Sequence, residues 1–292
     1  TLTVRRDCEN AAEDADFDEP ATISVFELNG GLLTFVGDNG RFLIPSVSRT
    51  IIANENIFDC SVLSGIVCVE ETVYRDTVEL LYNKNGYTLA YQRCCRNSII
   101  SNIQNPLETG ATYYVNIPAD VLEICNAQPV FIQWPDVNIC ANEDLSFNHS
   151  AVDPDGDLLI YKLCSPSIGA TIDNPNPIVA SNPPYGTVEW ESSYDVNNML
   201  GGNSGLRINA NTGEITARPT MVGTYLIGIC VEEYRNGEKI SEVRRDFEYT
   251  VTVCGEKFDI GFNVLDNNCD GDTQVTFENT TQGADSFLWQ IK

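Results

Sequence analysis

One histidine, His149, and two methionines stand in a chain of 292 residues that carries 11 cysteines. A zinc site draws on histidine or on closely paired cysteines. The cysteines here fall at 8, 60, 68, 94, 95, 125, 140, 164, 230, 254 and 269 and form no C-x-x-C pair. Basic residues are scarce as well: 17 Lys and Arg stand against 42 Asp and Glu, a formal charge of −25. Such a surface repels phosphate, which excludes nucleic acid and anionic membranes as partners and favours divalent cations. No apolar run approaches the ~20 residues that cross a bilayer, so no membrane insertion is expected.

Helical periodicity is also missing. Apolar residues alternate instead over short runs: "ATISVFEL", "RFLIPSV", "TVELLY", "YTLAYQ", "TYYVNI", "LLIYKL", "LRINA", "TYLIGICVEEY" and "FEYTVTV". Short alternating runs separated by turn residues specify strands. Asn85-Gly86 and Asn236-Gly237 read as tight hairpin turns, because both positions tolerate positive φ. The expected fold class is all-β, a tandem of disulfide-stapled β-sandwich domains. Prolines at 129 and 135 mark a passage between strand systems. Boundaries near 127 and 255 give a cysteine-rich sandwich at 1–126, a second domain at 127–254 and a shorter third piece at 255–292. The chain opens on "TLTVRRDC" and ends on "DSFLWQIK", both strand-like, the expectation for a piece of a longer secreted polypeptide.

Long, irregular cysteine spacing inside strand-like runs fits disulfides, and persistent disulfides place a protein in an oxidising, extracellular compartment. Cys164 ends "LLIYKLC" and Cys230 sits in "LIGIC", two expected core strands, so a bridge between them is plausible. Cys140 and Cys254 would then staple the ends of the second domain. The first domain keeps Cys8, Cys60, Cys68, Cys94, Cys95 and Cys125, and sequence alone does not choose among their connectivities. Neighbours on a strand face opposite sides. Cys94 and Cys95 are therefore expected to send a bridge from each face, with Cys8 joined to one of them. Cys60 pairs with Cys68, or both are split between the doublet and Cys125. Cys269 is left over, which accounts for the odd count.

"AVDPDGDLL" brings three alternating carboxylates, Asp153, Asp155 and Asp157, around Gly156, a pattern able to hold a hard cation such as calcium. The competing reading is a turn whose aspartates cap their own backbone amides. A catalytic role for His149 beside Ser150 and Asp153 lacks a nucleophile motif, and a buried strand histidine is expected instead. No carboxylate pair carries a glycosidase signature. The expectation is therefore no enzyme.

The segments "CVEEYRNG", "DPDGDLLIYKLCSP", "SNPPYGTVEW", "GLRINANTGEITARPTMVGTYLIGICVEEYRNG" and "YQRCCRN" together resemble the large secreted surface proteins of Bacteroidota. Those proteins carry PKD and cadherin-like or Ig-like repeats, and often end in a gliding-motility-associated domain exported by type IX secretion. Residues 138–254 are similar to the dystroglycan-type cadherin-like domain, with its signature running from Asp153 to Tyr161 and from Gly205 to Tyr225. Residues 258–292 resemble the first half of a PKD domain, where the partner of Cys269 would lie in the missing half. In cadherin-like domains a linker adds ligands to such a D-x-D, a role that would fall to Asp136, Asn142 and Glu143. The resemblance implies a stalk, filament subunit or adhesin on a bacterial surface. Its partners would be other domains of the same polypeptide, further copies of itself, or surface glycans and cells. The alternative is a glycan-binding module of a larger secreted enzyme, with Trp134, Trp190 and Tyr185 as a sugar platform.

Overall fold

A computed structural model describes residues 1–8, 16–28, 30–52, 68–254, 261–264 and 276–281. The first half contributes β1 (Leu2–Asp7), β2 (Ala21–Glu27), β3 (Arg41–Ile44), β4 (Ser46–Ile52), β5 (Val69–Tyr74), β6 (Tyr87–Arg93), β7 (Ala111–Ile117) and one short helix, α1 (Ala119–Ile124). The second contributes β8 (Val130–Phe131), β9 (Asn138–Cys140), β10 (Leu145–Asn148), β11 (Ala151–Val152), β12 (Leu158–Leu163), β13 (Arg207–Ile208), β14 (Glu214–Ala217), β15 (Gly223–Arg235) and β16 (Glu238–Thr252). A separate pair, β17 (Phe262–Val264) and β18 (Phe277–Asn279), closes the described chain. The protein is all-β and disulfide-stapled, as its alternation requires.

In the first half, sheet β1-β5-β4 packs on sheet β3-β2-β6-β7. Ala21, Ile44, Tyr74 and Tyr91 fill the space between them, with Leu2, Val4, Ile23 and Phe42 at its margin. The run "TVELLY" is not a strand: residues 75–83 cross from one sheet to the other, and Leu81 and Tyr82 stay exposed. Both ends of that crossing belong to strands already paired on two sides, so no edge is open to it. For the same reason Asn85-Gly86 turns the chain into β6 without forming a hairpin. Asn236-Gly237 behaves as expected, with φ of 55° and 85° joining β15 to β16.

The second half stacks sheet β12-β15-β16-β9 on sheet β10-β14-β13. Tyr225, Ile227 and Ile229 of β15 alternate onto Tyr249 and Val251 of β16, and Met199, Leu200 and Ile215 cover them. The other face of β15 is buried as well, because the halves exchange segments. Ile100 and Ile103 leave the first half to pack on Leu226 and Val188. Residues 175–181 return over the first half, where the N–H of Ala180 donates to Ser24 Oγ at 2.8 Å and that of Ser181 to Gln92 Oε1 at 3.0 Å. Where they pass, the chains approach so closely that no Cβ fits at Gly110, which abuts the Gly169 carbonyl. Arg96 and Asp246 form an ion pair across the same interface at 2.9 Å, with both side chains over nine-tenths buried.

Four disulfides are present among the described residues. Cys164 joins Cys230 and Cys140 joins Cys254, the pairings that the strand argument gives. The expectation for the first half is overturned. Cys8 bridges Cys68, not the doublet, and Cys94 bridges Cys95. The alternation argument does not reach the doublet, because β6 ends at Arg93. Beyond it the Cys94–Cys95 peptide is cis and the two Cα atoms lie 3.0 Å apart. Cys125 is exposed and unbridged, against the expectation that it joins a disulfide. Cys60 and Cys269 lie outside the described residues.

Candidate cation site where the two sandwiches meet

The loop "DPDGD" connects β11 to β12, and Gly156 takes φ of 81° at its tip. Asp153 Oδ1 accepts the backbone N–H groups of Asp155 at 3.0 Å and Asp157 at 2.9 Å. This is the self-capped turn weighed above, and it uses only one oxygen of Asp153. The other, Oδ2, is buried with no hydrogen-bond partner.

Asp155 turns away from its neighbours. Its Oδ2 accepts the N–H of Ala127 at 2.7 Å and lies 3.2 Å from Arg235 Nη2. It thereby ties the loop to the passage between the two halves. Asp157 receives Arg235, through Nε at 2.8 Å and Nη2 at 2.5 Å. That guanidinium holds the Asp157 carboxyl below the usual carboxylate range, against the opposing effect of burial.

The place that Asp155 leaves is taken by Glu233 of β15. Its residue is fully buried. Oε2 accepts Asn126 Nδ2 at 2.9 Å and the Ser241 hydroxyl, while Oε1 is buried with no hydrogen-bond partner. One oxygen from each of Asp153, Asp157 and Glu233 lies within 4.8 Å of the others. Burial raises the Glu233 pKa, and the nearby Asp153 charge adds to it, outweighing the hydrogen bonds from Ser241 and Asn126 that lower it. Two arrangements satisfy these oxygens: a proton between Glu233 and Asp157, or a hard cation among the three carboxylates. With all four acids ionised and only Arg235 opposing them, the excess negative charge suits a divalent ion with oxygen ligands.

The sequence names Asp153 and Asp157 but misses Glu233. A signal for it exists. Strand alternation from Tyr225 through Ile227, Ile229 and Val231 puts Glu233 on the inward face, where an ionised carboxylate is costly unless it is paired or bound. Asp136, proposed as a linker ligand, lies beside Tyr249. The backbone N–H of Asn142 bonds Pro219 at 2.7 Å.

No known protein family, curated protein or solved structure matches this chain. The site must therefore be read from its own geometry.

The other candidate residues are engaged elsewhere. His149 is fully buried, stacked on Phe247 and edge-on to Phe131 and Phe147, and burial drives its pKa down to about 3. It stays neutral at physiological pH. Trp134 carries the guanidiniums of Arg5 and Arg245 at 3.9 and 4.1 Å from its ring. Trp190 packs against the second core, and Tyr185 lies 4.9 Å from Tyr114. All three rings are half-buried, and each has its own separate contacts within the protein.

Proposed function

We propose that this is a non-enzymatic extracellular structural or adhesive protein, part of a bacterial surface stalk, filament or adhesin, and that calcium stiffens it. The observation that carries the reading is the position of the carboxylate cluster. Two buried carboxylate oxygens without partners, Asp153 Oδ2 and Glu233 Oε1, sit where Asn126 and Ala127 pass between the sandwiches. An ion bound there would bridge β15, the 153–157 loop and, through Asn126, the connecting chain. The resemblance to Bacteroidota surface proteins supports the same reading, as do disulfides that resist unfolding under load. The alternative, a glycan-binding module, would draw on Trp134, Trp190 and Tyr185, which are half-buried and each packed against other residues of the protein.

Thermal unfolding tests this directly. A raised carboxyl pKa in the folded state favours the protonated form. Without metal, the stability that Glu233 contributes is present at low pH and is lost as pH rises through its folded pKa. Calcium should reverse that loss. At about pH 8, calcium at ~100 times its dissociation constant would add about 2.7 kcal/mol, a rise in Tm of roughly 5–10 °C. At about pH 5, where a proton competes for Glu233, the rise shrinks. Glu233→Gln should abolish the calcium response while removing the loss of stability at high pH. Equal melting curves with calcium and with chelator at high pH would defeat the calcium reading.

A further inference from the structure

The bridge between Cys94 and Cys95 differs from the other three. Those span sequence separations of 60, 66 and 114, and this one spans a separation of 1. Chain-entropy stabilisation grows with the length of the closed loop. A bridge between neighbours restrains the unfolded chain hardly at all, so stapling does not account for it. Its exposure differs as well. Cys95 is exposed, whereas every other bridged cysteine among the described residues is buried or half-buried. Its own partner, Cys94, is among the buried ones.

The doublet lies on the seam between the two halves. Just before it, Arg93 pairs with Asp18, which also accepts Asn176 Nδ2 at 2.9 Å from the segment returning over the first half. The N–H of Cys94 donates to the carbonyl of Pro175 in that segment at 2.8 Å. Just after it, the N–H of Arg96 donates to the Thr109 carbonyl at 3.0 Å, and its side chain makes the buried ion pair with Asp246. Four consecutive residues thus hold the end of β6 against both halves. Cys94 and Cys95 also border a cavity of about 1440 Å³, lined by β1 and β16 as well, which is ample room for a small molecule. Cys68 and Cys164 border the same cavity from half-buried positions.

We propose that Cys94–Cys95 is a thiol-exchange site, at which the thiolate of a low-molecular-mass thiol attacks the Cys95 sulfur. The Cys94–Cys95 bond breaks and a new disulfide forms between Cys95 and the thiol. The electron pair leaves on Cys94 Sγ, which takes up a proton. A second thiolate then attacks the outer sulfur of this mixed disulfide, releases Cys95 as a thiol after protonation, and departs as the symmetrical disulfide. Two small thiols are thereby oxidised by two electrons and the protein bridge is reduced. Exchange needs access to the attacked sulfur, so an exposed bridge reacts before buried ones. Either open state lacks the two-residue ring that fixes the end of β6 on Pro175. The clasp between the halves then responds to thiols in the surroundings, while the three long-loop bridges keep each sandwich folded. This inference stands apart from the cation site.

The probe is free L-cysteine, titrated into the native protein without denaturant. Quenching in acid, alkylation of free thiols and peptide mapping by mass spectrometry then locate each bridge. Cys94 should become alkylated while Cys95 carries one cysteinyl group, and at higher thiol both should be alkylated. Cys8–Cys68, Cys140–Cys254 and Cys164–Cys230 should stay closed until the thiol is about tenfold more concentrated or beyond. Amide exchange at Cys94, Ala180 and Ser181 should quicken as the doublet opens. Replacing Cys94 and Cys95 together by serine should give that faster exchange without thiol and make it insensitive to thiol, with little change in melting temperature. Mapping of the unaltered protein decides the matter if that variant does not fold. The proposal is overturned if the long-loop bridges open at the same or lower thiol, or if the cysteinyl group is found on Cys94. Unchanged amide exchange after opening, or a map in which Cys94 or Cys95 is bridged to a third cysteine, would overturn it too.

Discussion

Replacing Cys140 and Cys254 together by serine is expected to remove about 4–5 kcal/mol of unfolding free energy, the chain-entropy estimate for so long a loop. The bridge spans a sequence separation of 114 and sits at the end of the parallel pairing of β9 with β16. That pairing covers only Asn138–Cys140 against Thr250–Thr252. The ladder is lost on unfolding, and with Cys164–Cys230 nested inside its span this bridge still closes a loop of about 50 residues in the denatured chain, worth about 4 kcal/mol. Denaturant unfolding without reductant measures the difference, and a drop in Tm of roughly 10 °C should accompany it. A loss below about 1 kcal/mol would show that the unfolded chain is restrained by something other than this bridge.

The second large effect is expected at Asn102, which no motif singles out. Its side chain is fully buried and leaves the first half to fasten the second. Nδ2 donates to the carbonyls of Met199 and Leu226, both at 2.8 Å, and Oδ1 accepts the N–H of Leu226 at 3.0 Å. Asn102→Leu keeps the approximate size and strands three buried backbone groups. At about 1–3 kcal/mol for each unsatisfied group, the loss should reach roughly 3–5 kcal/mol. The variant also weakens the clasp between the halves. Unfolding followed by tryptophan fluorescence, which reports Trp134 and Trp190 at contacts between the halves as well as Trp289, should then separate from unfolding followed by backbone circular dichroism. A single coincident transition of unchanged midpoint would show that Asn102 does not couple them.

The stapling of the second sandwich was legible because it follows from strand order. Cys164 directly follows β12 and Cys230 lies on β15, strands that pair directly and announce themselves by alternation. The doublet was not legible. Its bridge depends on where β6 stops, and propensity does not place a strand end to within one residue. Two members of the candidate carboxylate cluster were visible as "DPDGD", but Glu233 reads in sequence as one of two ordinary glutamates in "CVEEY". Only the depth of β15 in the protein separates it from Glu232, which pairs with Lys162 and Lys239 near the surface.

Composition and alternation by themselves determined the all-β class, the abundance of cysteines available for bridging and a marked excess of acidic residues. Those properties are local, because side-chain period and charge need no knowledge of distant neighbours. The tertiary structure alone decided that the two sandwiches exchange segments, that Glu233 replaces Asp155 beside Asp153 and Asp157, and that β1 and β16 line one cavity. Each of these depends on contacts between residues tens to more than a hundred positions apart. Such contacts are selected by the packing of whole sheets, and no short stretch of sequence encodes them.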